Sequence, residues 1–250
     1  NFRGDYEIVE GLNFGMFFSE QKTTESDMQY FDKNDLWTGA NRNGLAALND
    51  QEFADRLFET TLRYNIDLDA GKSLKLLAGY SYQEFENEGI FMSGGDFLTD
   101  AFTFNNISAA QDFANGLGSV GSYKNSNKLI AFFGRANLNI DDTYYVQASI
   151  RREGSSKFGR DEQWGIFPGI SAGVVLTKLA DIPAFDNLKL RAGYGVTGNP
   201  PVDSYLSQQR FGPTGNFFFN GAFTSSFGPI SNANPNLRWE RKKDISVGLD

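Results

Sequence analysis

Glu84, Glu86 and Glu88 place a carboxylate at every second position. Three hard oxygen donors on one strand face could bind a divalent cation, or could simply form a solvated strand end. Arg241 and Lys243 repeat the spacing with positive charge. That pair could meet lipid phosphates, or extend an exposed strand. A third group lies within residues 198–236: Tyr205, Gln208, Gln209, Arg210, Asn216, Phe217, Phe218, Phe219, Asn220 and Phe223. Aromatic faces beside amides suit a sugar or a peptide, because rings stack on flat apolar surface while amides bond hydroxyls or backbone. The triple Phe could equally pack against a neighbouring loop or a partner protein. The stretch 85–104, with Phe91, Met92, Phe97 and Phe102, reads the same way. Arg3-Gly4-Asp5 spells an adhesive tripeptide, but it falls inside an alternating run with Arg3 and Asp5 on its polar face. Asn106-Ile107-Ser108 is a sequon that chance supplies often.

Composition removes most catalytic chemistry. Among 250 residues there is no His and no Cys. Triads built on His, thiol nucleophiles, disulfides and the common zinc sites are therefore excluded. No carboxylate pair has glycosidase spacing, and there is no phosphate loop or dinucleotide fingerprint. No enzyme activity and no cofactor are expected. A net charge of -8 makes nucleic acid a poor partner. No stretch approaches the roughly 18 apolar residues of a spanning helix, and no signal peptide is visible.

The elements that would hold these residues are strands. Aromatic residues make up 15% of a chain whose mean hydropathy is -0.40. Period-2 alternation reconciles the two, since apolar side chains then occupy every other position. Phe58, Thr60, Leu62, Tyr64, Ile66 and Leu68 oppose Glu59, Thr61, Arg63, Asn65 and Asp67. Similar runs start at Phe2, Leu12, Leu74, Ile130, Tyr144, Trp164, Leu188 and Arg238. This predicts about nine strands and little helix, with weak helical candidates at 50–57 and 105–117.

The connections alternate in length. Glu10-Gly11, Asp69-Ala70-Gly71 and Asp141-Asp142 read as tight turns, and 179–186 is short. Residues 20–52, 84–127, 154–163 and 198–236 read as long polar loops. Long loops at one end and tight turns at the other are the pattern of an outer-membrane β-barrel. Runs of 9 to 11 residues, roughly, are long enough for tilted strands to cross a bilayer. On this reading the large apolar residues face lipid. Tyr80, Tyr82, Tyr144, Trp164 and Tyr194 form an interfacial girdle, and Arg63, Arg151, Glu153 and Arg191 face the lumen. A soluble β-sandwich, with the aromatics as its core, is the competing fold.

Three stretches carry a family resemblance. Ala148-Ser149-Ile150-Arg151-Arg152-Glu153-Gly154-Ser155-Ser156-Lys157-Phe158-Gly159 leads to Trp164-Gly165-Ile166-Phe167-Pro168-Gly169. Leu188 to Asn199 reads LKLRAGYGVTGN, and Asn234-Pro235-Asn236-Leu237-Arg238-Trp239-Glu240 precedes Val247-Gly248-Leu249-Asp250. In this order they resemble the SusC/RagA family of TonB-dependent outer-membrane transporters of Bacteroidota. Before Ala148 only barrel character and Val9-Glu10-Gly11-Leu12 support the likeness.

The resemblance implies a 22-stranded barrel filled by an N-terminal plug, driven by the TonB complex. It implies a SusD-like surface lipoprotein as partner and an oligosaccharide or peptide as ligand. Residues 1–250 would be a partial barrel domain, lacking plug and TonB box, whose strands form an open sheet with two edges. The matched motifs carry no catalytic role. The ligand-contact candidates are Tyr205, Gln208, Arg210, Asn216, Phe217, Phe218, Phe219 and Phe91. A passive porin-like or adhesion barrel is the alternative function.

Overall fold

The computed structural model describes residues 1–250 except Trp37, Asp69 and Ala70. Eleven strands dominate the described residues: β1 (Phe2–Val9), β2 (Leu12–Phe31), β3 (Leu45–Asp67), β4 (Lys72–Gly95), β5 (Ser119–Ile140), β6 (Tyr144–Ser155), β7 (Trp164–Val175), β8 (Lys189–Asn199), β9 (Arg210–Phe219), β10 (Ala222–Ser231) and β11 (Glu240–Leu249). Nine of them form one antiparallel sheet in the order β1-β2-β3-β4-β5-β6-β7-β8-β11. These are the nine runs the alternation marks. The sheet is not closed, and β1 and β11 are its edges. A separate hairpin of β9 and β10 interrupts the link from β8 to β11.

Turn chemistry sets the register. Glu10 and Gly11 join β1 to β2, with Gly11 at φ 78° and Val9 opposite Leu12. Asp141 and Asp142 both take left-handed backbone, at φ 53° and 48°, between the paired residues Ile140 and Tyr144. Short polar side chains tolerate that region, and here the Asn139 side-chain amide donates to Asp142 at 2.6 Å. The predicted turn at Asp69-Ala70-Gly71 lies largely outside the described residues. Leu68 N–H donates to the Lys72 carbonyl at 2.8 Å on either side of it.

Two compact units follow from the contacts. The first comprises Asn1–Ser19, Leu57–Gln83 and Asn127–Asp250. Its sheet is two-faced. Across β6, β7, β8 and β11 the register aligns Ala148, Ile170, Tyr194 and Ile245 in one row, and Val146, Ala172, Ala192 and Val247 in the next. Ile170 and Ile245 are 56% and 81% exposed, so this apolar face is not a dry core. Tyr80, Phe132 and Trp164 stack along the same face, with centroids 5.2 and 6.3 Å apart, and the Arg152 guanidinium lies 4.6 Å from the Trp164 ring. A sandwich would have buried these residues. Large apolar side chains on a sheet's exposed face, bounded by aromatic residues, are what a lipid-facing barrel wall requires.

The second unit comprises Glu20–Arg56 and Glu84–Ser126. It corrects the predicted loops. Strands β2 to β5 are 20 to 24 residues long, about twice a bilayer crossing. They run on through 20–31 and 45–52 of the first predicted loop and through 84–95 and 119–127 of the second. Once both faces of a strand meet water, nothing forces one of them to be apolar. The alternation therefore fades although pairing continues. The helical candidate at 50–57 lies inside β3 for the same reason. The candidate at 105–117 does hold local helix: a 3-10 segment over Asp100–Ala109 and one turn, α2, over Gln111–Ala114. With α1 (Gly39–Arg42) they enclose a small core of Ala46, Phe97 and Ala110, flanked by Tyr30, Phe104, Ile107 and Phe113.

Candidate functional site

The hairpin of β9 and β10 gathers most of the predicted ligand contacts. Asn220 and Gly221, at φ 50° and 80°, make its two-residue turn, the left-handed geometry that matches strand twist. Phe217 and Phe219 share one face with ring centroids 6.2 Å apart, while Phe218 meets Phe223 edge-on at 5.3 Å on the other. Phe211, Phe217, Phe218, Phe219, Phe223 and Phe227 are each at least 49% exposed. Packing against a neighbouring loop is therefore not how the triple Phe is used within the described chain. Asn216 accepts from the Ser225 hydroxyl at 3.1 Å, and Arg210 donates to Ser231 through its backbone N–H and its Nε. Tyr205 and Gln208 lie in the stem, where Gln208 N–H donates to the Tyr205 carbonyl at 3.0 Å. Phe91 sits on β4 in the second unit rather than in a loop, its ring covering Gly121.

The loop over residues 156–163 holds both stems of this hairpin. Lys157 Nζ donates to the carbonyls of Pro201 and Val202, at 3.0 and 2.7 Å. Gly159 N–H donates to the Leu237 carbonyl at 3.2 Å, and Trp239 Nε1 to that of Gln163 at 2.9 Å. The buried Trp239 ring packs between Phe158 and Phe167, at 4.7 and 5.2 Å. Burial pushes the Lys157 amine below its ordinary value, and Asp203 opposes this. The motif residues of β6, β7 and the return to β11 thus form a clamp. Composition gave no sign of it; the only signal was the resemblance, which marked those motifs as architectural.

The polar face of the first unit carries the predicted lumenal residues, each with a partner. Arg63 pairs with Asp5 across β2, where Gly15 leaves the space: a Cβ there would lie 2.8 Å from Thr61 Oγ1 and 3.1 Å from Asp5. Arg191 grips Asp250 with Nε at 2.8 Å and a second nitrogen at 3.0 Å. Arg151 pairs with Glu153 and lies over the Phe133 ring. The sequence did not mark Asp5 and Asp250 as partners of Arg63 and Arg191, because the pairings join residues far apart in the chain. Arg3 and Asp5 also pair with each other within β1, at 2.8 Å, so the adhesive tripeptide is part of a strand.

Glu84, Glu86 and Glu88 do not converge on an empty site. Arg56 reaches Glu20 at 2.9 Å and Glu86 at 3.0 Å, with Glu84 at 4.0 Å. Lys124 reaches Glu88 at 2.8 Å and Glu86 at 3.6 Å, and Lys22 pairs with Glu52 at 2.9 Å. Among the described residues no carboxylate cluster has metal-site geometry. The three carboxylates belong to a cross-strand ladder of alternating charge. The Lys124 ammonium holds the Glu88 carboxyl below its ordinary value.

A sheet with an exposed apolar face, a charged polar face and an aromatic border matches one family model, "TonB dependent receptor-like, beta-barrel", over residues 2–250. The chain belongs to that family. TonB-dependent receptor P3 of Formosa agariphila is 31% identical over 261 residues, covering 100% of this chain and 25% of that protein. TonB-dependent receptor SusC of Bacteroides thetaiotaomicron is 28% identical over 210 residues, covering 77% of this chain and 19% of that protein. Among solved structures, the RagAB peptide transporter superposes with a TM-score of 0.81 at 21% identity, over 99% of this chain and 27% of that one. The SusC/RagA resemblance therefore holds, and it extends to the strands before Ala148. The chain spans about a quarter of the length of the curated relatives it matches. It is part of the wall of a larger TonB-dependent receptor barrel.

Proposed function

We propose that this chain is a segment of an outer-membrane importer that captures oligosaccharides with its external loops. Passage would go through a plug remodelled by TonB, with a SusD-like lipoprotein at the surface. What supports this most is the two-faced antiparallel sheet inside a family match over residues 2–250. Lipid takes the apolar face and the polar face lines the lumen. The aromatic hairpin fits capture of a neutral ligand. From Phe211 to Leu237 no residue is charged, although 22% of the chain is. Exposed rings stack on sugar faces, and the Asn216, Thr214 and Ser225 side chains bond hydroxyls. Tyr205, Gln208 and Arg210 border the hairpin at its stem, and Phe91 belongs to a second external surface.

A peptide ligand is the second reading, favoured by the fold shared with a structure described as a peptide transporter. A passive porin is the reading to exclude. The test is uptake by the full-length protein in cells with and without TonB. Accumulation that requires TonB and the proton gradient, and that falls on Phe217→Ala/Phe218→Ala/Phe219→Ala, agrees with the proposal. Uptake that persists without TonB would refute active import.

A further inference from the structure

The polar face holds a recess of about 410 Å³ lined by three cations, three amides and the two leucines Leu76 and Leu77. Arg63, Lys75 and Arg135 border it, with Asn13, Asn65 and Asn137. These six come from β2, β3, β4 and β5 and all lie in the first unit. No carboxylate borders it. Arg63 is already engaged by Asp5, but its Nε is buried without a hydrogen-bond partner. Lys75 and Arg135 have no ion pair among the described residues. Two acids of β1 are engaged elsewhere: Asp5 with Arg3 and Arg63, and Glu7 with the Gly11 amide at 3.1 Å.

We propose that this recess is a carboxylate-binding site on the lumenal wall, with Lys75 and Arg135 as its two free cations. Two like charges facing one recess repel, and an anion between them turns that repulsion into two attractions. The Arg135 fork fits a carboxylate in bidentate fashion, and Lys75 supplies a point charge. A carboxylate offers about four acceptor sites, so the three amides take what the cations leave. Asp5 shows the mode, bringing a carboxylate to Arg63 from another strand. The carboxylate has two possible sources: an Asp or Glu from another part of the protein that occupies the lumen, or an acidic group on a passing solute. The inference rests on the polar face being lumenal, as the importer reading has it.

The experiment uses the full-length protein in detergent and a water-soluble carbodiimide, which joins an amine to a carboxylate only on contact. Without solute, a Lys75 cross-link to an Asp or Glu outside the nine strands identifies the protein as source. With trigalacturonate as probe, a Lys75–galacturonate amide identifies the solute. In either arm Arg135→Gln should lower the yield about tenfold, the effect of losing one charge-assisted partner. Lys75 should still react at the wild-type rate with an ordinary acylating reagent. No Lys75 conjugate in either arm, or a yield indifferent to Arg135→Gln, overturns the proposal. TonB-independent uptake would end the importer reading but leave this cross-link unaffected, so the two failures are distinguishable.

Discussion

The sensitive residue of the clamp on the aromatic hairpin is Trp239. The ring is 7% exposed, packs on Phe158 and Phe167, and donates to the Gln163 carbonyl. Replacing a buried Trp by Ala costs about 3 to 5 kcal/mol in a packed site. The loss falls on a loop assembly, not on the sheet, so it should appear as local opening. At about 1.4 kcal/mol per decade, even the lower figure raises the open population more than a hundredfold. Trp239→Phe should cost far less. The Gln163 carbonyl also accepts from Ser155 N–H at 3.1 Å, so removing the indole donor does not orphan it. One net hydrogen bond, about 1 kcal/mol, gives roughly a fivefold change. Hydrogen exchange on the full-length protein reads both. Protection of Gly159 N–H, bonded to Leu237, should collapse in Trp239→Ala, fall slightly in Trp239→Phe and leave β6 and β7 amides unchanged. Unchanged Gly159 exchange in Trp239→Ala would show that the ring does not hold the stem.

Four further expectations follow from the same geometry. Gly159→Ala places a Cβ 1.7 Å from the Pro235 carbonyl oxygen, an overpacking that should cost about 1 to 3 kcal/mol and expose residues 200–237 to limited proteolysis. Each Phe→Ala change at 217, 218 or 219 should leave thermal stability within about 0.5 kcal/mol, because the rings are exposed. It should weaken ligand binding about 2- to 10-fold by calorimetry, the worth of one aromatic contact. Tyr30, half-buried and donating to Asp100 at 2.6 Å, has its phenol pushed up to about 12 by desolvation first and the carboxylate second. The folded state holds that proton more tightly, so its stabilisation is complete below about pH 10 and is lost as pH rises through about 12; absorbance titration of wild type against Tyr30→Phe checks this. Arg56→Ala removes contacts to Glu20 and Glu86, and since such exposed pairs are each worth about 0.2 to 1 kcal/mol, the loss should be small and should vanish in molar salt.

What the sequence showed plainly was whatever obeys a period of two. Leu62, Ile150, Ile170 and Tyr194 alternate because lipid and lumen demand opposite chemistry on the two faces. Where that contrast ends, at about Glu20 and Glu84, the pattern ends, and strands that continue for another ten residues looked like loops. Their pairing rests on cross-strand contacts such as Glu20–Arg56–Glu86–Lys124, whose members lie tens of residues apart and leave no local trace. The hairpin's residues were visible as candidates, but its two strands were hidden among Gly212, Pro213, Gly215, Gly228 and Pro229, which weaken any strand signal. The site's support was least visible. Lys157, Gln163 and Trp239 are brought together by β7 and β8, not by spacing.

The two edges of the sheet bear on the same conclusion. Each edge leaves a row of backbone donors and acceptors without strand partners among the described residues. In hydrocarbon every such group costs several kcal/mol, so a strand with a free edge cannot stand against lipid. The outward row of β1, with Tyr6, and the Ile245–Val247–Leu249 part of the β11 row are nevertheless apolar and largely exposed. Apolar rows at both edges, polar residues behind them and unpaired backbone between fit a sheet that is part of a larger barrel. The clamp and the cationic recess fit a wall of that kind. The hairpin is fixed by residues of the wall itself, and the recess opens on the face that a closed barrel would turn inward.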